Sequence, residues 1–207
     1  MKITLAATTL TLVSVLALAP GSAAQTSPPA TAQDVAGRWV SVGCEATPGT
    51  SGPQHVKRNL RLTGDAWTVD LTVYADPGCN EPTLGVRVEG PYLLGPLSAA
   101  VPGATEALFV EAAVHVTPHS SAAADLLNGT PAGTCGTERW ALGVQQSLGK
   151  TGCELLDVRT PSAEYELVKR EGDRLFLGAR PAASSDLNAP ERRPTTLNAP
   201  LTLAGTP

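Results

Sequence analysis

Residues 67–74 alternate apolar and polar side chains without a break: Trp67, Val69, Leu71 and Val73 interleave with Thr68, Asp70, Thr72 and Tyr74. A period of two puts the first set on one face of a strand and the second on the other. Asp76-Pro77-Gly78 then makes a turn, and Leu84, Val86 and Val88 alternate with Gly85, Arg87 and Glu89. This is the pattern of an antiparallel hairpin with one face on a core and one in water. Similar runs occupy 38–42, 56–62, 107–116, 139–147, 165–169 and 174–178. Separated by short Gly/Pro turns, they predict a mainly β fold, an antiparallel barrel or half-barrel of roughly eight to ten strands. Closure would also remove the edge strands that so many segments leave open. One short helix is expected, with Thr117 as cap, Pro118 at its first position and Asn128-Gly129 at its end. Its Ala122, Ala123, Leu126 and Leu127 would lie against the barrel.

The ends read differently. Lys2, an apolar run over 3–18 and the small residues of 19–24 form an export signal, 1–24, with no cysteine at the cut to accept lipid. Secretion, extracellular or periplasmic, is therefore expected after cleavage near Ala24. No later stretch has the roughly 20 predominantly apolar residues of a membrane span. Residues 25–35 read as a linker, and 182–207 are Pro/Asn/Thr-rich with little periodicity.

Charge and composition narrow the partners. The formal net charge is -4 with no Lys/Arg cluster, so a nucleic-acid partner is not expected and anionic membranes are disfavoured. The chain is 42% hydrophobic but only 4% aromatic. Its interior should then be lined mainly by Val, Leu and Ala, which leaves room for a cavity.

The four cysteines, Cys44, Cys79, Cys135 and Cys153, lack the spacing of paired zinc knuckles, and an even count in an exported chain reads as two disulfides. Three connectivities exist. In the expected strand order Cys44 and Cys79 end successive up-strands at one rim, which pairs Cys44 with Cys79 and leaves Cys135 with Cys153. Each crosslink would stabilise by about 3 to 4 kcal/mol on the loop-entropy model.

Several motifs look chemical and read as bland. Ser147 and Lys150 match S-x-x-K, and Lys150-Thr151-Gly152 matches K-T-G, but the two share one lysine in a single turn, whereas acyl-enzymes place them on converging elements. No P-loop spacing precedes Gly149-Lys150-Thr151. His115 and His119 bracket a strand-to-helix junction with no acidic residue between them, and His55 starts another strand, so no metal or other cofactor is expected. Glu164 and Glu166 share one strand face, read as the wet outer one. Asn128-Gly129-Thr130 is an N-glycosylation sequon, meaningful in a host that glycosylates. No catalytic residues are assigned.

Gly37-Arg38-Trp39 opens the first strand with the G-x-W of a lipocalin-like barrel, in which the tryptophan closes the floor. From Trp39 the sequence resembles the adenomatosis polyposis coli down-regulated (APCDD) domain of animal Wnt-antagonist glycoproteins. Trp39-Val-Ser-Val-Gly-Cys44-Glu45 is followed in family order by Arg58, by Tyr74 through Asp76-Pro77 and Cys79 to Pro82-Thr83, and by Thr105-Glu106. Val116-Thr117-Pro118, Leu126-Leu127-Asn128, Cys135-Gly136, Trp140, Gln145-Gln146, Gly152-Cys153, Glu164-Tyr165-Glu166, Gly178 to Pro181 and Pro200-Leu201 continue it. The similarity spans 36–201 and leaves 202–207 as a tail. It departs at Leu60 and Leu62, where the family has aromatic residues, and at Thr47, where it has arginine.

The resemblance implies a single barrel domain that accommodates a lipid chain in an apolar pocket. The expected function is non-catalytic sequestration of a fatty-acyl or similar apolar ligand, free or on an acylated protein. The alternative is a surface module with a solid core that binds another protein. The expected pocket wall is Trp67, Val69, Leu71, Val73, Leu84, Val86, Val88, Leu108, Val110, Trp140 and Leu142. Glu45, Arg58 and Glu106 are charged residues at family-matched positions, read as a structural ion pair with Arg58 ahead of headgroup recognition.

Overall fold

The computed structural model describes residues 28–47, 54–136, 138–180 and 186–205. The expected export signal, 1–24, lies outside them. In chain order the elements are α1 (Ala32–Val35), β1 (Gly37–Ser41), β2 (Glu45–Thr47), β3 (Gln54–Thr63), β4 (Ala66–Tyr74), β5 (Pro82–Leu97), β6 (Thr105–Glu111) and β7 (Ala113–Pro118). There follow α2 (Ser121–Asn128), β8 (Gln146–Ser147), β9 (Ser162–Glu171), β10 (Arg174–Leu177) and β11 (Leu201–Leu203).

The alternating hairpin forms as its pattern demands. Val69 pairs with Val88, Leu71 with Val86 and Val73 with Leu84, so the apolar sets of β4 and β5 share one face. On the other side of β4, Trp67 pairs with Leu62 and Val69 with Leu60, and Leu60 pairs in turn with Trp39 of β1. Following these pairings gives the ring β1-β3-β4-β5-β6-β9-β10-β11, which returns to β1 through Trp39 opposite Leu203. The fold is thus a closed eight-strand antiparallel barrel.

Beyond the ring, β2 pairs with β3, β7 with the first half of β5, and β8 with β7. β5 serves two neighbours because it bends at Gly90: the Val110 carbonyl lies where a Cβ would be, so only glycine fits there. Opposite this bend the run expected as one strand over 107–116 is two, β6 and β7, interrupted at Ala112, whose N–H returns to the Glu89 carbonyl at 3.0 Å.

One end of the barrel is a sealed floor. Residues 28–35, expected as a linker, cross it instead. Thr31 caps α1 with a capping box to Asp34, the Ala30 N–H donates to Thr105 Oγ1 at 2.7 Å, and Val35 is fully buried. Trp39 lies on Val35, donating its indole N–H to the Val35 carbonyl at 2.9 Å. The tryptophan therefore closes the floor, as its G-x-W setting predicts. The opposite end, the mouth, carries the β4–β5 turn. There Asp76 accepts backbone N–H bonds from Gly78, Asn80 and Glu81 at 2.7–2.9 Å, which hold its carboxyl below the usual range, the Glu81 bond contributing most.

Both expected disulfides are present. Cys44–Cys79 ties the end of β1 to that turn, and Cys135–Cys153 lies in the loop region between α2 and β9. Other expectations fail in instructive ways. The run 139–147 contains only the two-residue β8, which pairs with β7; Trp140, at its start, packs instead in the cluster with Leu127 of α2. α2 starts later than expected: its cap is Ser120, Pro118 ends β7, and the buried pair is Ala124 and Leu127, while Leu126 is 62% exposed. The tail supplies a barrel strand, β11, with Leu201 fully buried.

The interior is not lined by small aliphatics alone. Trp39, Trp67, Tyr92 and Phe109 pack with Leu60, Leu62, Val168, Leu175 and Leu201 in the floor half. Phe109 meets the Trp67 ring edge-on at 4.9 Å and stacks on Tyr92 at 5.5 Å. A low aromatic content thus says little about where the aromatic residues go. A second cluster lies under α2: Val114, Val116, Leu127, Trp140 and Leu148 around Cys135–Cys153.

Candidate ligand-binding site

Between the two clusters the inner faces of β4 and β5 remain half-buried. Every residue from Val69 to Val73 and from Leu84 to Val88 keeps intermediate exposure, including those that point inward. Of the expected wall residues, Trp67, Val69 and Val88 join the barrel core, and Leu84, Val86 and Trp140 pack in the cluster under α2. Leu71 and Val73 stand in neither cluster among the described residues, yet face inward opposite Val86 and Leu84. The remaining three lie elsewhere. Leu108 and Val110 flank the inward Phe109 and therefore point out of the barrel, and Leu142 is 57% exposed in a loop. The inward residues of β6 are Thr105, Ala107, Phe109 and Glu111, which sequence reasoning missed.

Polar groups flank the half-buried strip on both sides. Next to Leu71 in register stands Arg58, whose guanidinium makes a two-pronged bond to Glu45 at 2.6 and 3.1 Å. Ser41 completes the group, donating to Glu45 and accepting the Arg58 N–H at 2.7 Å. This is the structural ion pair expected of Glu45 and Arg58, with side chains only 18% and 12% exposed. Glu106 is not part of it. It points outward and pairs with Arg193 at 3.1 Å.

Across the barrel, Glu164 and Glu166 share a strand face as expected, but it is the inner one. Glu164 pairs with Phe109 and Glu166 with Ala107, both of which face the core. The outer face of β9 is covered instead by the C-terminal segment, so Leu167 is fully buried there. Arg180 grips Glu164 with both oxygens at 2.6 Å, and Ser162 donates to Glu111. Burial, and then the neighbouring Glu164, push the Glu111 carboxyl above the usual range. Burial pushes Glu166 up to about 7, against backbone hydrogen bonds that favour its charged form.

Two depressions on the described surface, of about 350 and 270 Å³, are open to solvent. Ser147, Lys150 and Thr160 line the first, Arg58, Asp70 and Thr72 the second, and neither includes an expected wall residue. Asn128 is held by Trp140: its amide donates to the Trp140 carbonyl at 2.9 Å and accepts the Trp140 N–H at 2.8 Å. Among the described residues no His/Cys/Asp/Glu group is arranged to hold a metal ion, and no helix is long and apolar enough to cross a membrane.

The family model described as adenomatosis polyposis coli down-regulated 1 matches residues 21–151. The chain belongs to this family. The match takes in the APCDD signature residues of β1 to β8, both cysteines at the mouth and the Glu45–Arg58 pair. It ends before β9, so three of the eight strands that close this APCDD barrel, β9, β10 and β11, lie beyond the matched stretch. Glu164, Glu166 and Arg180 lie beyond it as well.

Proposed function

We propose that this APCDD-family barrel is an exported, non-catalytic protein that binds an apolar chain, fatty-acyl in character, along the inner face of β4. The observation that carries the reading is the half-buried Leu71 and Val73, inward-facing in a closed barrel and packed in neither cluster. Each methylene removed from water there contributes about 0.8 kcal/mol, so a long chain compensates for its own immobilisation. The ligand enters from the mouth, since α1 and Trp39 seal the floor. A lipid or an acylated protein supplies such a chain. Export accords with two disulfides, which belong to an oxidising compartment. The non-catalytic reading rests on the inner carboxyls having structural partners: Glu111 has Ser162, Glu164 has Arg180, and Glu166 has two backbone N–H groups.

One observation favours a second reading, a protein-binding module with a solid core: the floor half is filled by packed aromatic rings. Organic extraction of the purified protein followed by mass spectrometry separates the two. Co-purifying acyl lipid supports the first; its absence, together with no uptake of a fluorescent fatty acid, supports the second.

A further inference from the structure

Glu166 lies where β10 leaves β9. Its Oε2 accepts the N–H of Leu167 at 2.9 Å and that of Gly178, the first residue after β10, at 3.0 Å. A Cβ on Gly178 would come within 2.7 Å of that oxygen and would also collide with the Pro194 ring, so carboxyl, glycine and proline are packed against one another. The same turn holds the returning chain. Asn198 donates its side-chain amide to the Gly178 carbonyl at 2.8 Å and its N–H to Leu177, and the Ala179 N–H reaches Thr196 at 2.9 Å. Arg193 clamps the other side, bonding the carbonyls of Glu166 and Ala107 at 2.7 and 2.8 Å. Three residues after Asn198 the chain becomes β11, which closes the ring between β10 and β1.

We propose that the Glu166 carboxyl is the pH-sensitive catch of a latch, formed by Gly178 and residues 193–198, that holds β11 in its closing position. The charged groups around it come from three elements. Glu164 of β9 opposes its ionisation, Arg180 beyond β10 favours it, and Glu111 of β6 shares the Arg180 field. Arg193, held by Glu106 outside, bonds its backbone carbonyl. When the latch opens, water reaches the carboxyl and its affinity for a proton falls to the ordinary range.

The sign follows by linkage. In the closed latch Glu166 holds its proton up to about pH 7, against 4.5 for a free glutamate. The closed form is therefore most favoured at and below the lower value and loses that advantage as pH rises to the upper one. The opening constant should rise by on the order of tenfold or more between pH 5 and pH 7 and level off above about 8.

The test is hydrogen exchange with mass spectrometry on the full-length, disulfide-intact protein from pH 5 to 8, corrected for intrinsic rates, comparing peptides over 174–203 with those of β4. The 174–203 peptides should open with that pH profile while β4 does not, and Glu166→Gln should flatten the profile and stay closed at pH 8. A profile that is flat in the wild type, or unchanged in Glu166→Gln, overturns the proposal. Should Glu166→Gln fail to fold, Glu164→Gln carries the test. It removes the carboxylate that opposes ionisation, so the upper limit of the profile must move to lower pH, and an unmoved limit overturns the proposal equally.

Discussion

The Arg170 guanidinium lies 5.4 Å from the centre of the Trp39 ring, so a cation from β9 stacks on the tryptophan that opens β1. The same guanidinium bonds the Asp34 carbonyl at 2.5 Å, at the end of α1, and the Gly172 carbonyl at 2.8 Å, in the β9–β10 turn. One side chain thereby joins α1, the first strand and a hairpin from the far end of the chain. Arg170→Ala should destabilise by about 2 kcal/mol, combining a cation–π contact with charge-assisted hydrogen bonds. Arg170→Lys should recover less than half of that, because an ammonium cannot lie flat on the ring and reach both carbonyls. Urea unfolding of the three proteins measures both values.

The Glu45–Arg58 pair is largely withdrawn from water, and such pairs are costlier to halve than to replace. Arg58→Met should lose about 3 kcal/mol, leaving Glu45 without its cation, while the double variant Glu45→Leu/Arg58→Met should lose clearly less. A double-mutant cycle by chemical denaturation gives the answer. Additive losses, the double variant costing the sum of the two singles, would show that the pair contributes nothing beyond its packing.

Leu201 is fully buried in the strand that closes the ring. Leu201→Ala should cost about 3 kcal/mol through the cavity it leaves, a loss seldom produced at a loosely attached tail. Truncation before Asn198 should go further and broaden the thermal transition, since β1 and β10 are then left as open edges. Calorimetry distinguishes a closing strand from a dispensable one.

How much of this was legible in the chain depends on whether a strand had one wet face. β4 does, and its period of two gave both its extent and its inward set. β6 does not. Arg193 of the C-terminal segment covers part of its outer face beside Glu106, and Leu108, Phe109 and Val110 are all apolar, so the parity of the inward residues cannot be read from them. The same cover explains Glu164 and Glu166. With Leu167 buried outside, Glu164 and Glu166 are the inward residues of this half of β9, the reverse of the usual pattern, while Lys169 and Glu171 keep to the outer face beyond it. β11 spans three residues and α1 four, too few for any period to show. The Thr31 and Asp34 capping pair is the one signal by which α1 could have been found, and the stretch reads as a linker without it. The cysteine pairing was legible because the β4–β5 turn fixed which strand ends share a rim.

The Asn128 amide is tied to Trp140 through both its atoms, one N–H donating to the carbonyl and the oxygen accepting the N–H, and urea unfolding of Asn128→Ala measures what this pairing contributes. Asn128→Ala should cost about 1 to 2 kcal/mol, since the Trp140 N–H and carbonyl lose their partners.

Titration of a fluorescent long-chain fatty acid into the wild type and Leu71→Glu measures whether the half-buried strip of β4 receives an apolar chain. Leu71 is already partly exposed, so the charge should leave folding intact by circular dichroism. Saturable wild-type binding is expected, weakened at least about tenfold in Leu71→Glu, the loss of about two buried methylenes. No saturable binding by the wild type, or equal affinity in the folded variant, would contradict it.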